Sequence, residues 1–201
     1  MIGNLDNWIL IEQIVDYSAM VLGILYLILE ICKKKSMWIV GFILSAAYII
    51  ISARERLLAN AGLQTYYLIM CVYGWYQWRK DEDLENTSSK ISIRKMPRTT
   101  LIYSILIFIV LSIFSYFVLS YWTTDSQPIL DSVITSLSIV GTYWITKSYI
   151  EQWIVWMIVN PLYIWMYFAQ GVKGLGILYC FYVLSAVYGY YYWKKKGVLI
   201  K

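Results

Sequence analysis

The stretch 73-YGWYQW-78 recurs, with two changes, as 188-YGYYYW-193, which lies 115 residues further along the chain. The same offset places 38-WIV-40 on 153-WIV-155 without a gap. Of the 65 residue pairs in the two matched halves, 17 are identical, whereas so apolar a composition predicts roughly four or five identities by chance. The chain therefore contains two copies of one structural unit.

The composition places this repeated unit in a membrane. Hydrophobic residues make up 60% of the 201 residues and charged residues only 14%, compared with about 25% charged residues in a soluble domain. Several apolar runs approach the roughly 20 residues that a helix needs to cross the hydrocarbon core. The strands of a membrane barrel would alternate polar and apolar residues, and this sequence does not. We therefore expect an all-α membrane protein.

Seven transmembrane helices account for the apolar runs. The predicted spans are residues 14–32, 37–53, 63–79, 100–121, 129–146, 152–169 and 174–193. The repeat matches the first three spans with the last three, and the single linking helix lets both units insert in the same orientation. This is the parallel 3+1+3 arrangement of SWEET-type transporters. We assign the first unit with its N-terminal segment and cytoplasmic linker to residues 1–99, the linking helix to 100–122, and the second unit with its basic tail to 123–201.

The basic residues predict the orientation in the membrane. With seven spans, 14 of the 17 Lys and Arg residues fall on one side. Cytoplasmic loops carry the excess of positive charge, so we expect the C-terminus in the cytoplasm and the N-terminus outside. The N-terminal stretch lacks the features of a cleavable signal peptide, and residues 5–13 are predicted to form an amphipathic helix at the membrane surface.

A polar and aromatic stripe in the sixth span is the main candidate site. Trp153, Trp156 and Asn160 are spaced as i, i+3 and i+7, which places them on one helix face, and Tyr163 follows on the same face. Tryptophan offers a flat surface for an aromatic or cationic ring, and an amide inside a membrane needs a partner. The alternative is that the tryptophans belong to an interfacial belt and that Asn160 bonds a neighbouring helix.

Several other polar and aromatic positions have simpler interpretations. Gln64 and Tyr67 enter the third span, where Gln64 either hydrogen-bonds inside the membrane or lies at its surface. We expect Trp78 and Trp193 to anchor the interfacial belt. The glycines of the two repeated boxes, Gly74 and Gly189, are predicted to let helices approach closely. Glu30 and Glu151 are expected to be ion-paired or solvated, and Asp131 to favour a helix start.

The residues that are absent limit the chemistry. The sequence has no histidine, no Cys-x-x-Cys pair among its three cysteines, no Walker loop and no nucleophile–base constellation. We therefore expect no enzymatic activity, no metal or other cofactor, and no nucleic-acid partner. No ionisable residue was expected at mid-membrane, and coupled pumps usually need one. Facilitated diffusion of a small molecule is favoured over active pumping.

Three motifs resemble the PnuC-like family of bacterial nicotinamide riboside transporters. The segment 151-EQWIVWMIVN-160 is similar to its Trp-x-x-Trp-x-x-x-Asn box, 73-YGWYQW-78 to its YGWxxW box, and 58-LANAGLQTYY-67 to the stretch that precedes it. The resemblance implies a seven-helix transporter of the inner membrane, often a homotrimer. It also implies uptake of a vitamin-type substrate without energy coupling, followed by trapping through a cytoplasmic kinase.

The resemblance also assigns substrate-binding residues. Trp153, Trp156 and Asn160 match the family's substrate box, and Gln64 and Tyr67 match its positions in the third span. Trp38 is added as the repeat partner of Trp153, and Tyr163 as the next aromatic residue along the stripe. Where family members that carry nicotinamide riboside often have an asparagine in the second span, this chain has Leu44 and Ser45. Thiamine or riboflavin is therefore the alternative substrate.

Overall fold

The computed structural model describes residues 20–54, 58–88, 90–123, 127–169, 171 and 173–200. These contain seven helices and two short strands. The helices are α1 (described over Met20–Ile31), α2 (Ser36–Arg54), α3 (Leu58–Ser88), α4 (Arg98–Trp122), α5 (Pro128–Thr146), α6 (Gln152–Ala169) and α7 (Lys173–Lys196), and the strands are β1 (Ile91–Ile93) and β2 (Gly197–Leu199). The amphipathic helix predicted at residues 5–13 lies outside the described residues.

The helices confirm that the chain is a multi-pass membrane protein. Four of them, α2, α4, α5 and most of α7, are long and apolar enough to span a membrane. Helix α4 buries only Ser104, and the Ser104 hydroxyl accepts a hydrogen bond from the Trp144 indole of α5 at 3.0 Å. The other side chains of α4 lie wholly or partly open at its surface, as expected for a helix that faces lipid.

Helix α3 is longer than the predicted third span, which ended at residue 79. It continues to Ser88 through the segment 79-RKDEDLENTS-88. This segment contains neither Gly nor Pro, the two residues that most strongly break a helix. Hydropathy marks where a helix leaves the hydrocarbon and not where the helix ends, so α3 extends beyond the predicted span.

Two short strands accompany the expected all-α bundle. Strands β1 and β2 pair in parallel, with Ile91 opposite Gly197 and Ile93 opposite Leu199. They join the linker that follows α3 to the chain that follows α7. We call this side of the bundle, which carries the strands and the lysines at the end of α7, the basic end. Three-residue strands carry too little periodicity to be predicted from sequence.

A buried ion cluster lies at the basic end. Asp81 is 3% exposed and receives hydrogen bonds from both terminal nitrogens of Arg94 at 3.0 and 2.9 Å and from Lys33 Nζ at 3.1 Å. Burial by itself would raise the pKa of Asp81, but the Arg94 hydrogen bonds and the Lys33 charge outweigh it and hold that pKa below its usual value. The cluster ties α3 to the α1–α2 loop and to the linker.

Helix pairs at equivalent places in the repeat pack in the same way. Helix α2 packs against α3, and α6 packs against α7. The Trp38 ring lies over Gly74 and the Trp153 ring over Gly189, so close that a Cβ at either glycine would fall within 3.0 Å of ring atoms. These glycines therefore make room for an indole ring of the neighbouring helix, which is the form that the predicted close approach of the helices takes.

Trp78 and Trp193 are not belt residues, which corrects the expectation from the sequence. They are 3% and 0% exposed. The Trp78 indole donates to the Ile145 carbonyl at 3.1 Å, and the Trp193 indole donates to the Ile31 carbonyl at 2.9 Å. Each bond crosses from one half of the chain to the other. The two rings lie 6.4 Å apart between their centroids, so they form part of the core at the basic end.

Candidate functional site

A cavity of about 860 Å³ lies inside the bundle. Its lining comes from six helices, α1, α2, α3, α5, α6 and α7, and its size falls within the range of small-molecule sites, roughly 300–1,000 Å³. All seven residues predicted from the sequence line this one cavity: Trp38, Gln64, Tyr67, Trp153, Trp156, Asn160 and Tyr163. The structure therefore brings residues of the consecutive helices α2 and α3 together with residues of α6, which lies far from them in the sequence.

Helix α6 contributes the longest polar and aromatic stripe. Trp153 and Asn160 are 1% and 4% exposed, whereas Trp156 and Tyr163 are half-buried. Pro161 lies inside the helix directly after Asn160, and a proline has no N–H to complete the helical hydrogen bond at that turn. The Asn160 amide makes no side-chain hydrogen bond within the described part of the chain. This corrects the alternative in which Asn160 bonds a neighbouring helix.

The indole N–H groups separate structural tryptophans from those of the cavity. Those of Trp78, Trp144 and Trp193 all donate hydrogen bonds within the protein. In the described part of the chain, those of Trp38, Trp153 and Trp156 are buried and have no acceptor. Buried indole N–H groups normally find a partner. Three buried indole N–H groups without an acceptor in the described residues therefore belong to residues that line one cavity.

The basic end of the cavity is closed by tryptophan rings. Trp38 and Trp153 line it, and each packs edge-on against a ring further from the cavity. The Trp38 and Trp78 centroids are 5.2 Å apart, and those of Trp153 and Trp193 are 5.4 Å apart. With Trp78 next to Trp193, the four rings form one continuous layer between the cavity and the ion cluster.

At the cavity wall, each half of the chain packs one aromatic ring over one glycine, but the ring and the glycine occupy opposite repeat positions in the two halves. In the first half the Tyr26 ring of α1 lies over Gly41 of α2, where a Cβ would be 3.1 Å from Tyr26 Cε2. In the second half the Trp156 ring of α6 lies over Gly141 of α5, where a Cβ would be 3.6 Å from Trp156 Cζ2. The 115-residue offset pairs Tyr26 with Gly141 and Gly41 with Trp156. The cavity wall therefore differs between positions that the 115-residue offset pairs in the sequence.

A tyrosine cluster extends along another part of the cavity and was largely missed by sequence reasoning. The ring centroids of Tyr163 and Tyr179 are 4.6 Å apart, those of Tyr167 and Tyr179 are 5.3 Å apart, and those of Tyr179 and Tyr182 are 5.0 Å apart. One signal was available, because Tyr182 is the repeat partner of the predicted Tyr67. Tyr167 and Tyr179 have no tyrosine as repeat partner and could be found only from the fold.

Glu30 corrects the expectation of an ion-paired or solvated carboxylate. It lines the cavity, is 3% exposed, and its Oε1 atom has no hydrogen-bond partner in the described residues. By contrast, the Glu151 carboxylate accepts hydrogen bonds from the Met96 backbone N–H at 3.2 Å. Among the described lining residues, Glu30 is the only Asp, Glu, Lys or Arg. Within the same residues, no group of His, Cys, Asp and Glu side chains could hold a metal ion.

Comparisons with known proteins match most of the chain. A family model described as "Nicotinamide mononucleotide transporter" matches residues 13–195. The nicotinamide riboside transporter PnuC of Escherichia coli K12 is 24% identical, over 89% of this chain and 84% of its own. PnuC of Neisseria mucosa is 28% identical, and the match covers 96% of this chain and 74% of that protein. The riboflavin/roseoflavin transporter RibM of Streptomyces davaonensis is 26% identical, over 94% and 90%.

One solved structure has the same fold. The crystal structure of the vitamin B3 transporter PnuC superposes with a TM-score of 0.70 at 23% sequence identity, and the match covers 96% of this chain and 83% of that one. The family model extends over nearly all of the helical bundle. The chain therefore belongs to the nicotinamide mononucleotide transporter family, as its three motifs indicated.

Proposed function

We propose that this protein takes up nicotinamide riboside across the bacterial inner membrane by facilitated diffusion. The observation that carries the proposal is that Trp38, Trp153 and Trp156, whose indole N–H groups have no acceptor within the described residues, line one cavity. A flat ring can stack on the half-buried Trp156 ring, while oxygen atoms of the substrate would accept hydrogen bonds from the indoles that line the cavity. Relatives named as nicotinamide riboside transporters support this substrate.

The polar side chains of the cavity suit the sugar of such a substrate. Asn160 and Gln64 line the cavity from two different helices, and each amide can both donate and accept hydrogen bonds. Ribose hydroxyls do the same. A site that hydrogen-bonds a substrate in this way discriminates strongly against a molecule without those groups, because its buried polar atoms would then be unpaired.

The remaining parts of the proposal concern how transport is organised. Two three-helix halves joined by α4 would alternate access to the cavity by rocking against each other. The matched Trp38–Gly74 and Trp153–Gly189 packing supports two equivalent halves. The basic end would face the cytoplasm, where a kinase would phosphorylate and trap the substrate. By family resemblance we further propose a homotrimer.

Two other vitamins are the second candidates. The similarity to RibM, which is named as a riboflavin/roseoflavin transporter, favours riboflavin. Leu44 and Ser45, which line the cavity where related transporters often carry an asparagine, favour a substrate other than nicotinamide riboside. Thiamine contains a cationic aromatic ring, as nicotinamide riboside does, so the same tryptophans would suit both.

Uptake into liposomes tests the proposal. Purified protein is reconstituted, and the entry of labelled nicotinamide riboside, thiamine and riboflavin is measured with no ion gradient. We expect equilibration of nicotinamide riboside without accumulation above the outside concentration. Accumulation that requires an imposed proton or sodium gradient would contradict facilitated diffusion. Entry of thiamine or riboflavin without entry of nicotinamide riboside would show that the vitamin that enters is the substrate instead. Empty liposomes, and liposomes with the Trp156→Ala variant, are the controls.

A further inference from the structure

We propose that Glu30 is the counter-ion that makes this cavity selective for a substrate with a positively charged ring. The inference rests on the proposed function, because it specifies the chemical class of the transported vitamin. It assigns a specificity-determining role to a residue outside the three motifs that identify the family.

The position of Glu30 gives the first argument. It lies in the last turn of α1 at the basic end of the cavity, the same end as Trp38 at the start of α2 and Trp153 at the start of α6. A ring bound at this end of the cavity is therefore brought towards the carboxylate. The electron-rich face of tryptophan attracts a cation, so the indoles and the carboxylate favour the same ligand charge.

The surroundings of Glu30 give the second argument. A buried carboxylate is stabilised either by a proton or by a paired cation, and no Lys or Arg is among the described residues that line the cavity. The nearby Lys33 amine is paired with Asp81 at 3.1 Å. The Gln152 amide lies beside Glu30 but forms no hydrogen bond of standard geometry. Within the described lining of the cavity, no protein cation competes with a charged substrate for Glu30.

The repeat gives the third argument. The residue at the equivalent position of the second half is Ile145, which also lines the cavity. An apolar residue thus satisfies the packing at this place in the fold, and a carboxylate is not needed to build the bundle. The carboxylate occurs on one side of the cavity only, so it can orient a charged ring relative to the Asn160 amide that lines the cavity from the other half.

Paired ligands of nearly equal shape provide the test. Nicotinamide riboside carries a positive ring, whereas its reduced dihydro form is neutral. Binding of both is measured by calorimetry on the purified, full-length protein and on Glu30→Gln. We expect Glu30→Gln to weaken nicotinamide riboside binding by about tenfold to a hundredfold, the range of a hydrogen bond to a charged group, and to leave binding of the neutral form within about twofold.

Two further variants and the wild-type protein separate a failure of the inference about Glu30 from a failure of the proposed function. Glu30→Asp, which retains the charge, should recover most of the preference, and Glu151→Gln, which changes a carboxylate away from the cavity, should not alter it. If Glu30→Gln kept the preference for the positively charged form, the inference about Glu30 would be overturned while the proposed function stood. Equal binding of the two forms by the wild-type protein would also overturn it, and this measurement does not depend on a variant that folds. If the wild type bound neither form and no thiamine, the proposed function would be overturned as well.

Discussion

The close contact between Gly74 and the Trp38 ring provides a quantitative test of the packing. In Gly74→Ala, the new methyl group would lie within 3.0 Å of three atoms of the Trp38 ring, which is itself 1% exposed and cannot move aside. Overpacking of this kind costs about 1–3 kcal/mol, and the higher helix propensity of alanine returns about 1 kcal/mol at most. We expect a net loss of up to about 2 kcal/mol in the free energy of unfolding.

Gly62→Ala is the matched control on the same helix. A Cβ at residue 62 has no atom within 4 Å, so this variant should keep or slightly raise stability. Thermal unfolding in detergent, followed by tryptophan fluorescence, should show a Tm for Gly74→Ala that is lower by up to about 8 °C, at roughly 2–4 °C per kcal/mol for a chain of this length. Equal Tm values for the two variants would refute the packing argument.

Three further predictions concern the cavity and the ion cluster. Trp156→Phe keeps an aromatic ring but loses the N–H, so it should weaken nicotinamide riboside binding by about 0.5–1.5 kcal/mol in calorimetry. Trp165 lies on the same helix and is 58% exposed, so Trp165→Phe should leave binding unchanged. Asn160→Ala should weaken binding by about 1–3 kcal/mol without lowering the Tm, and a parallel loss of Tm would show that the amide only packs. Because the folded-state pKa of Asp81 is lowered, its contribution is fully present above the unfolded value of about 3.9 and is lost as the pH falls through the folded value. Asp81→Asn should therefore reduce the free energy of unfolding at neutral pH by about 3–5 kcal/mol and so lower the Tm. The Tm of this variant should also fall less than that of the wild type as the pH becomes acid. An acid profile as steep as that of the wild type would contradict the prediction.

The local order of residues along the chain was sufficient to predict much of this protein. Apolar runs predicted where the helices lie along the chain, because the hydrocarbon core sets the length of each run, whereas α3 extends beyond its predicted span at both ends. The spacing of Trp153, Trp156 and Asn160 predicted one face of α6, because helix periodicity depends only on residues a turn or two apart. The motifs in these same segments indicated the family.

Only the tertiary structure decided which polar groups are satisfied. Trp78 and Trp153 both looked like interfacial tryptophans, yet one donates to a carbonyl 67 residues away and the other has no acceptor within the described residues. Glu30 looked solvated beside its lysines, and the packing of six helices placed it on the cavity instead. Acceptors, counter-ions and burial come from helices that are distant in sequence, so hydrogen-bond satisfaction, and with it the chemistry of the cavity, emerges only when the bundle is assembled.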